Sequence, residues 1–161
     1  MDRFTHLDDA GAARMVDVSG KPITARSATA SGKVLVSERV IAMLGDATLP
    51  KGDALAVARI AGIAAAKRTP DLVPLCHPLG ITGVDVDLEV DDEVGAVVIT
   101  ATVRTTDRTG VEMEALTAVS VAALTVIDMV KAVDKRAVIT DVRVDAKSGG
   151  RSGDFVREDP S

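Results

Sequence analysis

Apolar residues dominate one long segment of the chain, residues 110–131 (GVEMEALTAVSVAALTVIDMVK), and its charged side chains occur only near the two ends. A helix with so few polar positions is buried against other elements of the fold. Its many alanines predict close packing on a neighbouring helix or sheet. Residues 81–91 (ITGVDVDLEVD) instead alternate valine and leucine with acidic residues. This period of two predicts a half-exposed antiparallel strand.

Weaker patterns predict the remaining elements. Strands are expected at 31–36, 95–105 and 136–146, and the strand at 95–105 forms a hairpin with 81–91. Helices are expected at 37–45 and 53–68, and they begin at the N-cap residues Ser37 and Asp53. Three prolines in 69–80 (TPDLVPLCHPLG) predict an ordered loop without regular helix. Residues 1–29 are expected to form an irregular N-terminal arm, and 148–161 a flexible C-terminal tail.

The order of these elements, β-α-α-β-β-α-β, is that of an α+β protein. With one additional helix it matches the ferredoxin-like pattern, in which an antiparallel sheet carries helices packed on one face. The length of 161 residues and the lack of a linker or internal repeat predict a single domain spanning 1–161.

Composition narrows the classes of function. The chain has a formal net charge of -5, no Trp or Tyr and 2 Phe, so it has neither the basic face nor the stacking aromatics of a nucleic-acid binding protein. A single cysteine excludes an intrachain disulfide and fits a reducing compartment. The N-terminus has no signal-peptide pattern, and the longest apolar run, 115–127, is shorter than the roughly 20 residues of a membrane span. We therefore expect a soluble cytoplasmic protein without a membrane partner.

Several charged clusters allow both a structural and a functional interpretation. The acidic side of 81–91 is typical of a solvated strand face rather than of a cation site. His6 and His77, with one cysteine, lack metal-ligand spacing, so no metal site is predicted. Residues 147–153 (KSGGRSG) can form either a flexible tail or a loop that wraps an anion with amides and cations.

Other candidates for chemistry are isolated residues. His77 lies in the proline-rich loop, where it could bind phosphate or transfer protons, whereas Cys76 is better explained as a packed small residue. Asp128 and Lys131 are neighbours at the end of the long helix and form either a surface ion pair or an oriented acid-base lysine. Lys51, between Pro50 and Gly52, is either a surface residue or a presented cation.

The two ends of the long helix are too distant to share one pocket. At about 1.5 Å per residue, Glu114 and Asp128 lie roughly 21 Å apart along the axis. Either one end alone is functional, or a second copy of the chain brings its opposite end alongside.

Collinear segments resemble one known family. The matching segments are THLD at 5–8, MVDVSGK at 15–21, KGD at 51–53, ARIAGIAAAKRT at 58–69, LVPLCHPL at 72–79, TGVEMEALTAVSVAALTVIDMVKA at 109–132 and AKSGGRSGD at 146–154. They resemble the cyclic pyranopterin monophosphate synthase family, molybdenum cofactor biosynthesis protein C. LCHP together with TGVEMEALTA makes this resemblance highly specific. Arg108 and Arg151 stand where other members carry lysine, which keeps the charge but changes donor geometry.

The resemblance implies a function and a set of site residues. Such proteins are lyases that convert a GTP-derived cyclised nucleotide triphosphate into cyclic pyranopterin monophosphate and release pyrophosphate, with no cofactor. They are ferredoxin-like homohexamers, trimers of dimers, with the active site at a subunit interface. Carried over by position, the catalytic residues are Lys51, Asp128 and Lys131. The substrate-binding residues are Leu75, Cys76, His77, Glu112, Met113, Glu114 and Lys147. The alternatives are a non-catalytic nucleotide- or pterin-binding module and a purely structural assembly partner.

Overall fold

An open antiparallel sheet carries the long apolar helix on one face. The computed structural model describes residues 5–46, 53–151 and 153–158. These residues form β1 (Thr24–Leu35), α1 (Glu38–Gly45), α2 (Ala54–Ala66), α3 (Thr69–Leu72), β2 (Ile81–Asp91), β3 (Ala96–Asp107), α4 (Glu112–Val130), β4 (Val138–Ser148) and β5 (Phe155–Val156). The strand order β2-β3-β1-β4-β5, with α2 and α4 beside each other, confirms the predicted ferredoxin-like α+β fold.

Helix α4 forms the centre of the core. Ala115, Ala118, Ala122 and Val126 are 0% exposed and pack with the inward residues of the sheet. Small side chains also allow α2 to approach, because a Cβ atom on Gly62 would lie 3.0 Å from the carbonyl oxygen of Ala118. Helix α4 is long enough to cross a membrane, and an 18-residue window of it has a mean hydropathy of 1.7. However, 56% of this window is buried in the fold, as in the core helix of a soluble domain.

The hairpin of β2 and β3 confirms the alternation read from the sequence. Val86 and Leu88 are buried beneath the helices, whereas Asp85, Asp87 and Glu89 are exposed on the other face. Asp85 forms an ion pair with Arg104 across the hairpin. The acidic row is therefore a solvated strand face.

Strand β1 begins earlier than predicted, so the prediction of an irregular arm over 1–29 was wrong from Thr24 onwards. β1 pairs along its whole length with β3, from Thr24↔Asp107 to Leu35↔Ala96, and also pairs with β4. Its inward residues at this end include Ala28 and Ala30, whose small side chains give no clear hydrophobic period. Hydrogen bonding to a strand on each side, which the sequence does not reveal, fixes this segment.

Two other predictions need correction. Residues 69–80 do contain a short helix, α3, because Pro70 lies in its first turn, where a missing N–H leaves no hydrogen bond unmade. The tail 148–161 is not wholly irregular, since Ser148 ends β4 and Phe155–Val156 pair with Ala146 and Lys147. The chain turns back through Gly149 and Gly150, which have φ of 83° and 82° and so adopt a conformation that favours glycine.

The close contact of α2 with α4 predicts that Gly62→Leu destabilises the fold. The added side chain must displace the backbone of Ala118 and the Cβ atom of Ala122, and overpacking of this kind costs about 1–3 kcal/mol. Thermal unfolding should show a lower midpoint by several degrees. The matched control is Gly45→Leu at the end of α1, where a Cβ atom would meet no packed neighbour within 4 Å. Equal midpoints for the two variants would contradict this account of the packing.

Candidate active site

A pocket of about 310 Å³ lies at the start of α4. Three segments form it: the N-terminal arm, the proline-rich loop and the first turn of α4. Its lining includes six of the seven predicted substrate-binding residues: Leu75, Cys76, His77, Glu112, Met113 and Glu114. The structure therefore brings together residues that lie almost 40 positions apart in the sequence. We call this space the ring pocket.

A second, more polar pocket of about 500 Å³ adjoins the first. Lys147, the seventh predicted binding residue, lines it together with Lys21 and Arg26. Both pockets are lined by Thr109, Gly110 and Glu112, so they form one continuous site. Three cations around one space suit an anion with several oxygens. We call this space the cationic pocket.

Glu112 stands between the two pockets. Its carboxylate accepts a hydrogen bond from Lys147 Nζ at 3.0 Å, and the two side chains are only 26% and 28% exposed, respectively. A Cβ atom on Gly110 would lie 1.9 Å from Glu112 Oε2, so any other residue at position 110 would require the Glu112 carboxylate to move. The pair joins the start of α4 to β4 and directs the charge of Glu112 towards the cationic pocket.

Arg26 is held against the glycine turn that follows β4. Its Nε atom donates to the carbonyl oxygen of Asp107 at 3.1 Å. A Cβ atom on Gly150 would lie 2.3 Å from Arg26 Nη1, so the backbone passes directly over the guanidinium. Asp154 closes the turn by accepting a hydrogen bond from Gly149 N at 3.0 Å. The KSGG segment is thus an ordered wall of the cationic pocket.

Lys21 and Arg26 were not among the predicted site residues. Both lie in a segment without hydrophobic period, and nothing in its pattern separates them from other surface cations. The convergence of Arg26 with Lys147 depends on the pairing of β1 with β4, which are more than a hundred residues apart. Lys21 precedes β1, and the hydrogen bond from Arg108 Nε to its carbonyl oxygen holds its backbone there.

His77 holds the N-terminal arm over the ring pocket. Its Nε2 atom lies 2.7 Å from the carbonyl oxygen of Val16. A carbonyl oxygen can only accept, so Nε2 carries the hydrogen and donates the hydrogen bond to the carbonyl oxygen of Val16. The other ring nitrogen, Nδ1, is the atom of His77 that remains for a ligand. Arg108 fixes the same arm further along by donating from Nε to the carbonyl oxygen of Lys21 at 3.1 Å.

Glu114 is the buried acid of the site. It is 3% exposed, and burial raises the pKa of its carboxyl group, with the nearby charge of Glu112 acting in the same direction and its own backbone N–H opposing. Burial and Glu114 likewise raise the pKa of the Cys76 thiol. A thiol with a raised pKa is a poor nucleophile, which agrees with the structural interpretation of Cys76.

Two of the predicted catalytic residues, Asp128 and Lys131, lie elsewhere. Lys131 Nζ contacts Asp128 Oδ1 at 2.6 Å in an exposed pair at the far end of α4, where Lys131 caps the helix. A single chain does not bring this pair to either pocket. Lys51 falls outside the described residues. In the described ranges, no group of three or more His, Cys, Asp or Glu side chains is arranged to hold a metal ion.

Fold and site together define a class: a ferredoxin-like α+β protein with a small-molecule site, half apolar and half cationic, suited to an anionic ligand. The chain belongs to the MoaC family, whose profile matches residues 15–150.

Relatives of high similarity carry one name. The cyclic pyranopterin monophosphate synthase of Streptomyces coelicolor is 74% identical over 156 residues, covering 97% of this chain and 91% of the relative. The synthase of Nocardioides sp. is 72% identical over 156 residues, covering 96% of each chain. The synthase of Parvibaculum lavamentivorans is 58% identical over 153 residues, covering 95% of this chain and 96% of its own length. The chain is therefore an enzyme of this family.

Burial of Glu114 predicts a pH-dependent effect of Glu114→Gln on stability. Because the pKa of Glu114 is raised in the folded state, the unfolded chain releases this proton first as pH rises. The folded state loses stability between the unfolded pKa, about 4.3, and the higher folded pKa. Glutamine has no proton to lose, so the free energy of unfolding of Glu114→Gln should rise relative to wild type as pH increases from about 4 through the folded pKa.

Denaturant unfolding at several pH values measures this difference. Glu89→Gln, on the exposed face of β2, removes the same charge and reports the general effect of lowering the net negative charge. A difference for Glu114→Gln no larger than that for Glu89→Gln at neutral pH would show that the pKa of Glu114 is not raised in the folded state.

Proposed function

We propose that this enzyme is a cyclic pyranopterin monophosphate synthase of molybdenum cofactor biosynthesis. It converts (8S)-3′,8-cyclo-7,8-dihydroguanosine 5′-triphosphate into cyclic pyranopterin monophosphate and releases pyrophosphate, as a lyase. The observation that carries the proposal is the continuity of the ring pocket with the cationic pocket. The names of the relatives, at 58–74% identity over nearly the whole chain, support it. The free thiol of Cys76, the one cysteine of the chain, suits a reducing cytoplasm.

The substrate has two chemically different parts, and each has a counterpart in the site. Its triphosphate suits the cationic pocket, where Lys21, Arg26 and Lys147 offer charge-assisted hydrogen bonds. Its guanine-derived ring suits the smaller ring pocket, which has apolar walls from Leu75 and Leu79. Glu112 lies at the boundary and keeps Lys147 oriented until a phosphate oxygen competes for it.

The chemistry requires acid-base groups near the ring and the α-phosphate. Forming a cyclic monophosphate requires a substrate hydroxyl oxygen to attack the α-phosphorus while the bond to the pyrophosphate oxygen breaks. A base must accept the hydroxyl proton, and cations must stabilise the charge on the leaving pyrophosphate. We assign the acid-base roles to Lys51 and Lys131, with Asp128 orienting Lys131 through its 2.6 Å contact.

This assignment requires a second copy of the chain. Asp128 and Lys131 lie roughly 21 Å or more along α4 from Glu114, too far to act in the ring pocket of their own chain. The solvent side of the helix layer carries exposed apolar residues, among them Ile60 (67%) and Leu124 (57%), as in subunit interfaces. We propose that the partner's helix end completes each site, in a homohexamer built as a trimer of dimers.

Removal of Lys147 tests the cationic pocket. Loss of a charge-assisted hydrogen bond costs about 1.5–3 kcal/mol, so Lys147→Met should lower kcat/KM by about 10- to 100-fold. Pyrophosphate release from the purified cyclised nucleotide is the assay. The control, Lys33→Met, removes a lysine that pairs with Asp141 at 3.8 Å outside the pockets. Wild-type turnover in Lys147→Met would refute the phosphate assignment, and binding without turnover in the wild type would favour a non-catalytic module.

Mixing two inactive variants tests the shared site. Lys131→Ala and His77→Ala should each abolish turnover, because each damages one of the two groups that meet at an interface. After subunit exchange, about a quarter of the sites should combine an intact His77 with an intact Lys131 from the neighbour. The mixture should therefore recover about a quarter of wild-type activity. No recovery, with exchange verified by mass labelling, would place both residues in one chain's site or outside the site.

A further inference from the structure

The end of α4 lies next to the start of α1, and one buried carboxylate joins them. Asp134 is 9% exposed and follows Lys131 closely in the sequence. Its Oδ2 atom accepts a hydrogen bond from Ser37 N at 2.8 Å, and its Oδ1 atom accepts one from Arg136 N at 2.8 Å. Ser37 is the N-cap residue of α1, and Arg136 precedes β4. Asp134 therefore holds the chain where α4, α1 and β4 meet.

The hydrogen bonds of Asp134 offset the cost of burying its charge. A buried carboxylate is costly unless donors match its oxygens. The hydrogen bonds from Arg136 N and Ser37 N hold the pKa of Asp134 below its ordinary value, and they outweigh the opposing effect of burial. Because the group is ionised and both oxygens accept from the backbone, it serves to fix the chain and not to exchange protons with a ligand.

Lys131 lies between two fixed points of the backbone. On one side Val130 is 0% exposed in the core, and its carbonyl oxygen accepts from the N–H groups of Val133 at 2.8 Å and Asp134 at 2.9 Å. On the other side the carboxylate of Asp134 attaches the end of this turn to α1 and β4. The side chain of Lys131 is 59% exposed and contacts Asp128, so its direction depends on how the backbone beneath it is held.

We propose that Asp134 is a positioning residue, which fixes the turn after α4 and so holds Lys131 in the direction that acid-base chemistry in a neighbouring copy's pocket requires. The inference rests on the proposed function, because that function gives Lys131 its acid-base role. The two pockets lie at the other end of α4, and Glu114 is about 25 Å from Lys131 along the axis at about 1.5 Å per residue. Loss of the Asp134 anchor should consequently slow the chemical step and leave substrate binding intact.

Kinetics of Asp134→Ala test this separation of chemistry from binding. Misplacing a reacting group by a small distance can slow a reaction by about a hundredfold, so kcat for pyrophosphate release should fall by about 10- to 100-fold. KM for the cyclised nucleotide should stay within about twofold of wild type, because the binding pockets are unchanged. Asp134→Asn keeps one acceptor oxygen, so its kcat should fall less. It also tests the proposal if the alanine variant does not fold.

Asp91→Ala is the matched control for the loss of a structural anchor. The Oδ1 atom of Asp91 accepts from the backbone N–H groups of Glu93 at 3.1 Å and Val94 at 3.0 Å, in the turn between β2 and β3. Its removal should lower stability and leave kcat near wild type. A kcat of Asp134→Ala no lower than that of Asp91→Ala would overturn the proposal. A raised KM at unchanged kcat would also overturn it, since Asp134 would then act in binding.

Nuclear magnetic resonance of the lysines tests the positioning without turnover. After reductive methylation of the intact oligomer with carbon-13 formaldehyde, the Lys131 signal is identified by its absence in Lys131→Arg. It should shift in Asp134→Ala and keep its position in Asp91→Ala. An unmoved signal in Asp134→Ala would overturn the proposal even if the wild type is active. A shifted signal in a protein whose wild type releases no pyrophosphate would instead refute the proposed reaction and leave the anchoring of Lys131 by Asp134 established.

Discussion

The burial of α4 is the constraint on which the rest of the structure depends. A helix of 19 residues packed between α2 and the sheet carries charged groups only near its ends, where it emerges from the core. Its alanines bring the neighbouring elements close, and Gly62 permits the approach of α2. The charged side chains of α4 are consequently confined to its two ends, with Glu112 and Glu114 at one and Asp128 and Lys131 at the other. The geometry of the fold thereby sets the geometry of the site.

The first end of α4 becomes a site because other segments converge on it. The proline-rich loop supplies Leu75 to His77, and His77 in turn holds the arm through Val16. The pairing of β1 with β4 places Arg26 near Lys147, and the glycine turn closes over the guanidinium. Each contact is long-range in sequence, so loss of the sheet register would separate the cations. The site is thus assembled by the fold and not by a local motif.

The elements that could be predicted from the sequence are those with a strong period. The apolar run of α4 and the alternation of Val86 and Leu88 with acidic residues predicted the right elements within about two residues. The start of β1 could not be found, because its inward residues there are alanines and its stability comes from pairing on both sides. For the site, resemblance to a family located the ring pocket, whereas Lys21 and Arg26 required the three-dimensional arrangement. Within one chain Asp128 and Lys131 lie at the far end of α4, so the role proposed for them requires a second copy, which neither a local pattern nor a single chain contains.

Separation of charge within the site follows from the same packing. The protein has a net charge of -5, yet three cations surround one pocket and the acidic row of β2 lies on the solvent face of the sheet. An anionic ligand would therefore be attracted to the cationic pocket and repelled from the sheet surface. Glu112 partly neutralises Lys147, which limits the repulsion among the cations while the site is empty. Glu114, two residues further along the helix, lies where no such cation lines the described wall, and burial raises the pKa of its carboxyl group. One turn of helix thereby gives two carboxyl groups opposite electrostatic surroundings, because one faces the sheet edge and the other faces the apolar interior.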